Sequence, residues 1–129
     1  MAEADAALIR AVKRGDINTL KDLIRAGADV NCSDTQGWTP LFHAAGIGSS
    51  EIMRLLIASG ADLDSHRDKG FTPLFLAILS RHLEAIRLLL DAGASSDAPA
   101  RDSLVRHVPS DWNHRDEAVH LLRRSHDQA

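Results

Sequence analysis

No tyrosine occurs among the 129 residues, and aromatics of every kind make up only 4%. A core must therefore be assembled from Leu, Ile, Val and Ala, which suits small helices in close contact. Cys32 is the single cysteine, which excludes an internal disulfide. Long apolar runs are missing, and stretches such as Leu88-Leu89-Leu90 fall far short of the ~20 residues needed to cross a bilayer. The acidic start, Met1-Ala2-Glu3-Ala4-Asp5, has no apolar segment of the kind a secretory signal requires, so the expected location is cytoplasmic. Charge of one sign is also lacking. Lys and Arg number 15 against 18 Asp and Glu, a net charge of −3, which provides no general attraction to nucleic acid or anionic lipid. Neither a Gly-x-x-x-x-Gly-Lys phosphate loop nor a Gly-x-Gly-x-x-Gly fingerprint is found.

What the sequence does contain is a repeat. Gly27-Ala28-Asp29, Gly60-Ala61-Asp62 and Gly93-Ala94-Ser95 follow one another at intervals of 33 residues. Thr39-Pro40-Leu41-Phe42 returns 33 residues later as Thr72-Pro73-Leu74-Phe75. Gly37 and Gly70 keep the same register, as do Glu51, Glu84 and Glu117, and Leu23, Leu56, Leu89 and Leu122. Each conserved spacing has a physical use. Thr39 and Thr72 can cap helices whose first residue is Pro40 or Pro73, where a missing N–H does no harm. Leu41, Ala44 and Ala45 share one helical face. Glu51 suits the start of a second helix, along which Ile52, Leu55 and Leu56 fall at core spacing. Gly60 and Gly93 can take the left-handed conformation that ends a helix.

The run Asp34 to Ala45, with Gly37-Trp38-Thr39-Pro40-Leu41-Phe42-His43, followed by Leu55-Leu56 and Gly60-Ala61-Asp62, resembles the ankyrin repeat; Thr-Pro-Leu-Phe stands where that family usually has Thr-Pro-Leu-His. The resemblance implies an all-α solenoid of stacked helix-turn-helix units joined by β-turn loops. One domain over 1–129 is expected, with units at about 2–33, 34–66, 67–99 and 100–126. Helices are predicted over 5–14, 18–26, 40–47, 51–58, 73–80, 84–91, 103–108 and 115–124. Asp22 replaces the leucine of the Leu55, Leu88, Leu121 column, and Arg123 replaces the apolar residue of the Ile57, Leu90 column. Polar substitutions at the two end units are the expected form of caps, and they read as a complete four-unit protein. Unit four departs furthest, with Val105-Arg106-His107-Val108 in place of the motif and Pro109 within the span of the first helix. A shortened helix followed by an irregular loop over 109–114 is expected there. Arg81 stands where the other turns have Gly15 and Gly48, a place where a left-handed Arg is possible at modest cost.

The resemblance further implies a protein-binding module, an adaptor or an inhibitor, monomeric when free, that is not an enzyme and needs no cofactor. By position its contact surface comprises the turn tips and the ends of the first helices. These are Thr35, Gln36 and Trp38; His66, Asp68, Lys69 and Phe71; Arg101, Asp102 and Leu104; and Ile47, Leu79 and Trp112, with Ser33, Ser80 and Asn113 alongside. Trp38, Phe71 and Leu104 share one repeat position and are expected to form an apolar column flanked by polar tips, the pattern of an interface hot spot. The alternative for Trp38 and Phe71 is routine packing over neighbouring turns. For the 109–114 loop the choice is between drift of a cap and an added binding surface. Asn31 sits where some ankyrin repeats offer an asparagine for hydroxylation, or serves as a hydrogen-bonding turn residue. Arg14-Gly15-Asp16 spells an integrin-binding tripeptide, but Gly15 belongs to an inter-helix turn. The seven histidines, His43, His66, His82, His107, His114, His120 and His126, include no His-x-x-x-His pair. A metal-dependent role for the late histidines, or a nucleic-acid contact through Arg10, Lys13, Arg14 and Lys21, is the alternative function. Cys32 is expected to be a partly buried thiol.

Overall fold

The computed structural model describes residues 3–64, 72–94 and 104–127. Helices α1 (Glu3–Arg14), α2 (Ile17–Arg25), α3 (Pro40–Ile47), α4 (Ser50–Ala58), α5 (Pro73–Leu79) and α6 (Leu83–Asp91) follow in order. Helix α7 is described at 104–106, and α8 runs over Arg115–Asp127. No strand occurs among the described residues. Successive helices pair as antiparallel hairpins and the hairpins stack. The first helices α1, α3 and α5 pack in one layer, while α2, α4, α6 and α8 pack in a second. The predicted all-α solenoid is therefore the observed architecture.

Local chemistry sets the helix ends. Thr39 Oγ1 accepts from Phe42 N at 3.4 Å and Thr72 Oγ1 from Phe75 N at 3.3 Å, with a proline following each cap. Asp16 caps α2, accepting from Thr19 N at 3.2 Å and from the Thr19 hydroxyl at 2.7 Å. The aspartate of the integrin-like tripeptide thus has a structural task. The turns between paired helices pass through a left-handed residue: φ is 73° at Gly15, 82° at Gly48 and 62° at Arg81. Arg81 is the one non-glycine residue with positive φ among the described residues, as its place in the repeat allowed. α7 ends at 106, before the predicted 108. Pro109 has no N–H to donate back into the turn and biases Val108 away from helix. The chain then crosses irregular backbone to α8, which extends to Asp127, beyond the predicted 124.

A single apolar core runs through the stack. Leu8, Leu20, Leu41, Phe42, Ile52, Met53, Leu56, Leu74, Ile78, Ile86, Leu89 and Leu122 are all less than 2% exposed. Burial of each such side chain is worth roughly 1.5–3 kcal/mol. Alanines 44, 45, 77, 85 and 118 are equally buried and let the helices approach closely. On the outer layer, charges interlock from unit to unit. Arg54 meets Glu84 at 3.3 Å, Glu84 meets Arg87 at 3.4 Å, and Arg87 meets Glu117 at 3.6 Å. These pairs are half exposed, so each contributes at most about 1 kcal/mol, yet they leave that flank charge-balanced. A further tie is polar and central: His82 Nε2 donates to the Gly46 carbonyl at 3.0 Å, joining α6 to α3 across 36 residues.

Candidate functional site

The turn ahead of α3 is a projecting finger built on one carboxylate. Asp34 N donates to the Trp38 carbonyl at 2.9 Å and Gly37 N to the Asp34 carbonyl at 3.0 Å, closing the loop. Asp34 Oδ1 accepts from Gln36 N at 2.9 Å and Trp38 N at 3.0 Å, while Oδ2 accepts from His43 Nε2 at 3.0 Å. Burial raises the Asp34 pKa, but the hydrogen bonds from the Trp38 N–H, His43 and the Gln36 N–H outweigh it and hold the carboxyl below its ordinary value. The finger is thereby anchored to α3 through His43, and Thr35 and Gln36 are carried exposed at its tip.

Trp38 is half-buried. Its ring meets Phe42 edge-on, with centroids 5.2 Å apart and planes at 88°, and lies 6.2 Å from the His43 ring. Trp38 therefore packs on its own unit and still presents surface. That surface faces a groove of about 310 Å³ between the finger, α3 and α5, walled by Trp38, His43, Ile47 and Leu76 with Gln36 at its edge. Beside it, Ile47 is 48% and Leu79 43% exposed, the exposed large hydrophobics among the described residues. The structure thus brings together Gln36, Trp38 and Ile47, with Leu79 on the next first helix.

Other predicted positions fall elsewhere. Leu104 is not part of an exposed column: it is 5% exposed and belongs to the core. Relative to α3, which starts two residues after Trp38, the helical turn of unit four already includes the equivalent position, so Leu104 points into the stack and not from a turn tip. Trp112 is half-buried against the core, with the His114 ring 6.0 Å away. His66, Asp68, Lys69, Phe71, Arg101 and Asp102 lie outside the described residues.

Asn31 ties two successive turns together: its Nδ2 donates to the Gly60 carbonyl at 3.1 Å and its Oδ1 accepts from Asp62 N at 2.7 Å. That is the hydrogen-bonding role expected of a turn residue. Cys32 is 9% exposed and its thiol donates to the Asp5 carbonyl at 3.7 Å. Burial, then the nearby Asp5 and Asp29 charges, pushes its pKa up to about 11. At pH 8 roughly one thiol in a thousand is ionised. Maleimide labelling of the native protein at that pH should therefore be at least about a hundredfold slower than in denaturant, a ratio readable by mass spectrometry. Comparable rates in the two states would mean that the thiol is open to solvent. Among the described residues no group of three His, Cys, Asp or Glu is placed to hold a metal ion, and no helix is long and apolar enough to cross a membrane.

Sequence comparison adds independent findings. A family model for ankyrin repeats, in three copies, matches residues 8–100. The mouse 2-5A-dependent ribonuclease is 44% identical over 54 residues, 41% of this chain but 7% of that protein. The mouse ankyrin repeat, SAM and basic leucine zipper domain-containing protein 1 is 35% identical over 51 residues, 40% of this chain and 11% of that one. A putative ankyrin repeat protein of Rickettsia felis is 46% identical over 46 residues, covering 36% of this chain and 73% of the relative. The match thus spans only a small part of the two mouse proteins.

Proposed function

We infer from one premise, that the chain belongs to the ankyrin-repeat family, that it binds a partner protein on the face formed by the finger of residues 34–38 and the exposed ends of α3 and α5. Repeats of this family are in general protein–protein interaction modules and non-catalytic. The observation that carries the reading is the groove beside Trp38, lined by Ile47 and Leu76, with Ile47 and Leu79 the exposed large hydrophobics among the described residues. The opposite flank carries the paired charges of Arg54, Glu84, Arg87 and Glu117. An aromatic and two aliphatic side chains around a concave opening, with Thr35 and Gln36 at the rim, have the layout of an apolar interface centre and polar edge. Occupation of this face can act in two ways: blocking a site on the partner as an inhibitor, or holding two proteins together as an adaptor.

Photo-crosslinking residues introduced in place of Ile47 and of Leu79 should trap one and the same protein from the native host. A crosslinker in place of Arg54, on the charge-paired flank, should not trap it. Capture from position 54 with none from 47 or 79 would move the contact surface to the opposite side. Ile47→Glu combined with Leu79→Glu should abolish retention of that protein, with the thermal midpoint changed by less than ~2 °C, because both side chains are already exposed.

A further inference from the structure

The groove beside Trp38 has an uneven lining. Ile47 and Leu76 give it aliphatic walls, Trp38 and Phe42 supply ring surface, and Gln36 and His43 bring polar atoms. Among the described residues no Lys or Arg lines it. α5 holds no ionisable side chain from Pro73 to Leu79, and α3 holds only His43 between Pro40 and Ile47. The formal charge tied to this wall is the carboxylate of Asp34, 3.0 Å from His43 Nε2. That carboxyl is held below its ordinary value, so it is ionised at neutral pH and Nε2 must carry the proton between them. In the neutral ring Nδ1 is then left as an acceptor. It has no hydrogen bond among the described residues. The buried side-chain polar atom without a partner is Arg115 Nε, so Nδ1 of His43, equally unbonded, is open to solvent. One wall of an otherwise apolar groove thus offers a lone pair backed by a negative charge.

We propose, resting on the reading of that face as a partner-binding surface, that the groove takes an arginine side chain of the partner protein. Its methylene stem lies along Ile47 and Leu76, and its guanidinium meets Trp38, His43 and Gln36. Each part of the lining suits that group. A guanidinium is planar and weakly hydrated, and it stacks on aromatic rings. It has five donors and no acceptor, which matches His43 Nδ1 and the Gln36 side-chain oxygen. Its charge is opposite to that of Asp34, and no cation among the described lining residues repels it. A carboxylate would face Asp34 across one imidazole, and a purely apolar side chain would cover Nδ1 without satisfying it.

Selection of a random short-peptide library on the intact chain tests it, with binders sorted by whether a photo-crosslinker in place of Ile47 traps them. Trapped peptides should share an arginine, and exchanging it for methionine should weaken binding at least about tenfold. Gln36→Lys places a cation at the rim, on an exposed side chain that makes no hydrogen bond or ion pair among the described residues. It should weaken the same peptides at least about fivefold at low salt, and Gln36→Glu should strengthen them. Both shifts should shrink in about 0.5 M salt. Trapped peptides that lack arginine, or that bind equally well to Gln36→Lys, would overturn the arginine assignment and leave the face itself standing. If position 47 traps no binder, the reading of the face falls and the arginine assignment with it.

Discussion

Gly48→Ala should lower the stability of the chain by about 2–4 kcal/mol, the sum of a left-handed backbone and a steric collision. The residue has φ 82°, where an L side chain costs roughly 1–2 kcal/mol. A Cβ there would also lie 2.6 Å from His82 Nδ1 and within 2.8 Å of two ring carbons. The ring is poorly placed to yield, because its other nitrogen donates to the Gly46 carbonyl at 3.0 Å. Relief of the collision therefore means loss of the tie between α3 and α6. Urea titration should show the midpoint falling at constant slope. Gly60 supplies the control: its φ is 95°, yet nothing lies within 4 Å of an added Cβ, so Gly60→Ala should cost only the backbone share. Adding His82→Ala to Gly48→Ala should recover part of the loss. Equal effects at positions 48 and 60 would show that the histidine ring moves aside freely.

The second large effect belongs to the finger. Asp34→Ala removes the acceptor of two main-chain N–H groups and the partner of His43. Bonds to an ionised acceptor are worth about 1.5–3 kcal/mol each when sheltered, and solvent replaces part of this in a turn, so a net loss of about 2–3 kcal/mol is expected. Asp34→Asn retains an acceptor oxygen but not the charge and should fall between. The pH dependence has a definite sign. The carboxyl is held below its ordinary value in the folded state, so its contribution is complete above the unfolded carboxylate range near ~3.9 and is lost as pH falls through the depressed folded value. The stability gap between the natural chain and Asp34→Ala should thus be present at neutral pH and close in strong acid. A gap that stays constant to pH ~2 would show that the charge of Asp34 plays no part.

Legibility in the sequence followed local chemistry. Thr39, Pro40 and Gly48 announce a helix start and stop through bonds to near neighbours, and the period of 33 carries each assignment to the next unit. Even the left-handed Arg81 was visible, because the column of Gly15 and Gly48 specified the backbone before the side chain was considered. Leu104 was misplaced for the same reason in reverse. Position in the repeat was carried into a unit that lacks the Thr-Pro start, and there the helix takes in a residue that elsewhere belongs to the turn. The Asp34–His43 pair could not be read, since helix spacing alone does not say which flank of α3 faces the finger. The ion pairs could have been: Arg54 with Glu84 and Arg87 with Glu117 recur at a spacing of 30, three less than the repeat, as expected where one turn of a helix meets the next unit.

Asp34 holds the finger through the main-chain amides of residues 36 and 38, and the side chains of Thr35 and Gln36 make no hydrogen bond or ion pair among the described residues. Shape and vocabulary are thereby separated: the scaffold dictates where these two positions stand but not what they say. If the proposed face is the one that binds, substitutions at 35 and 36 should alter which partner is held while leaving the main-chain frame set by Asp34 in place.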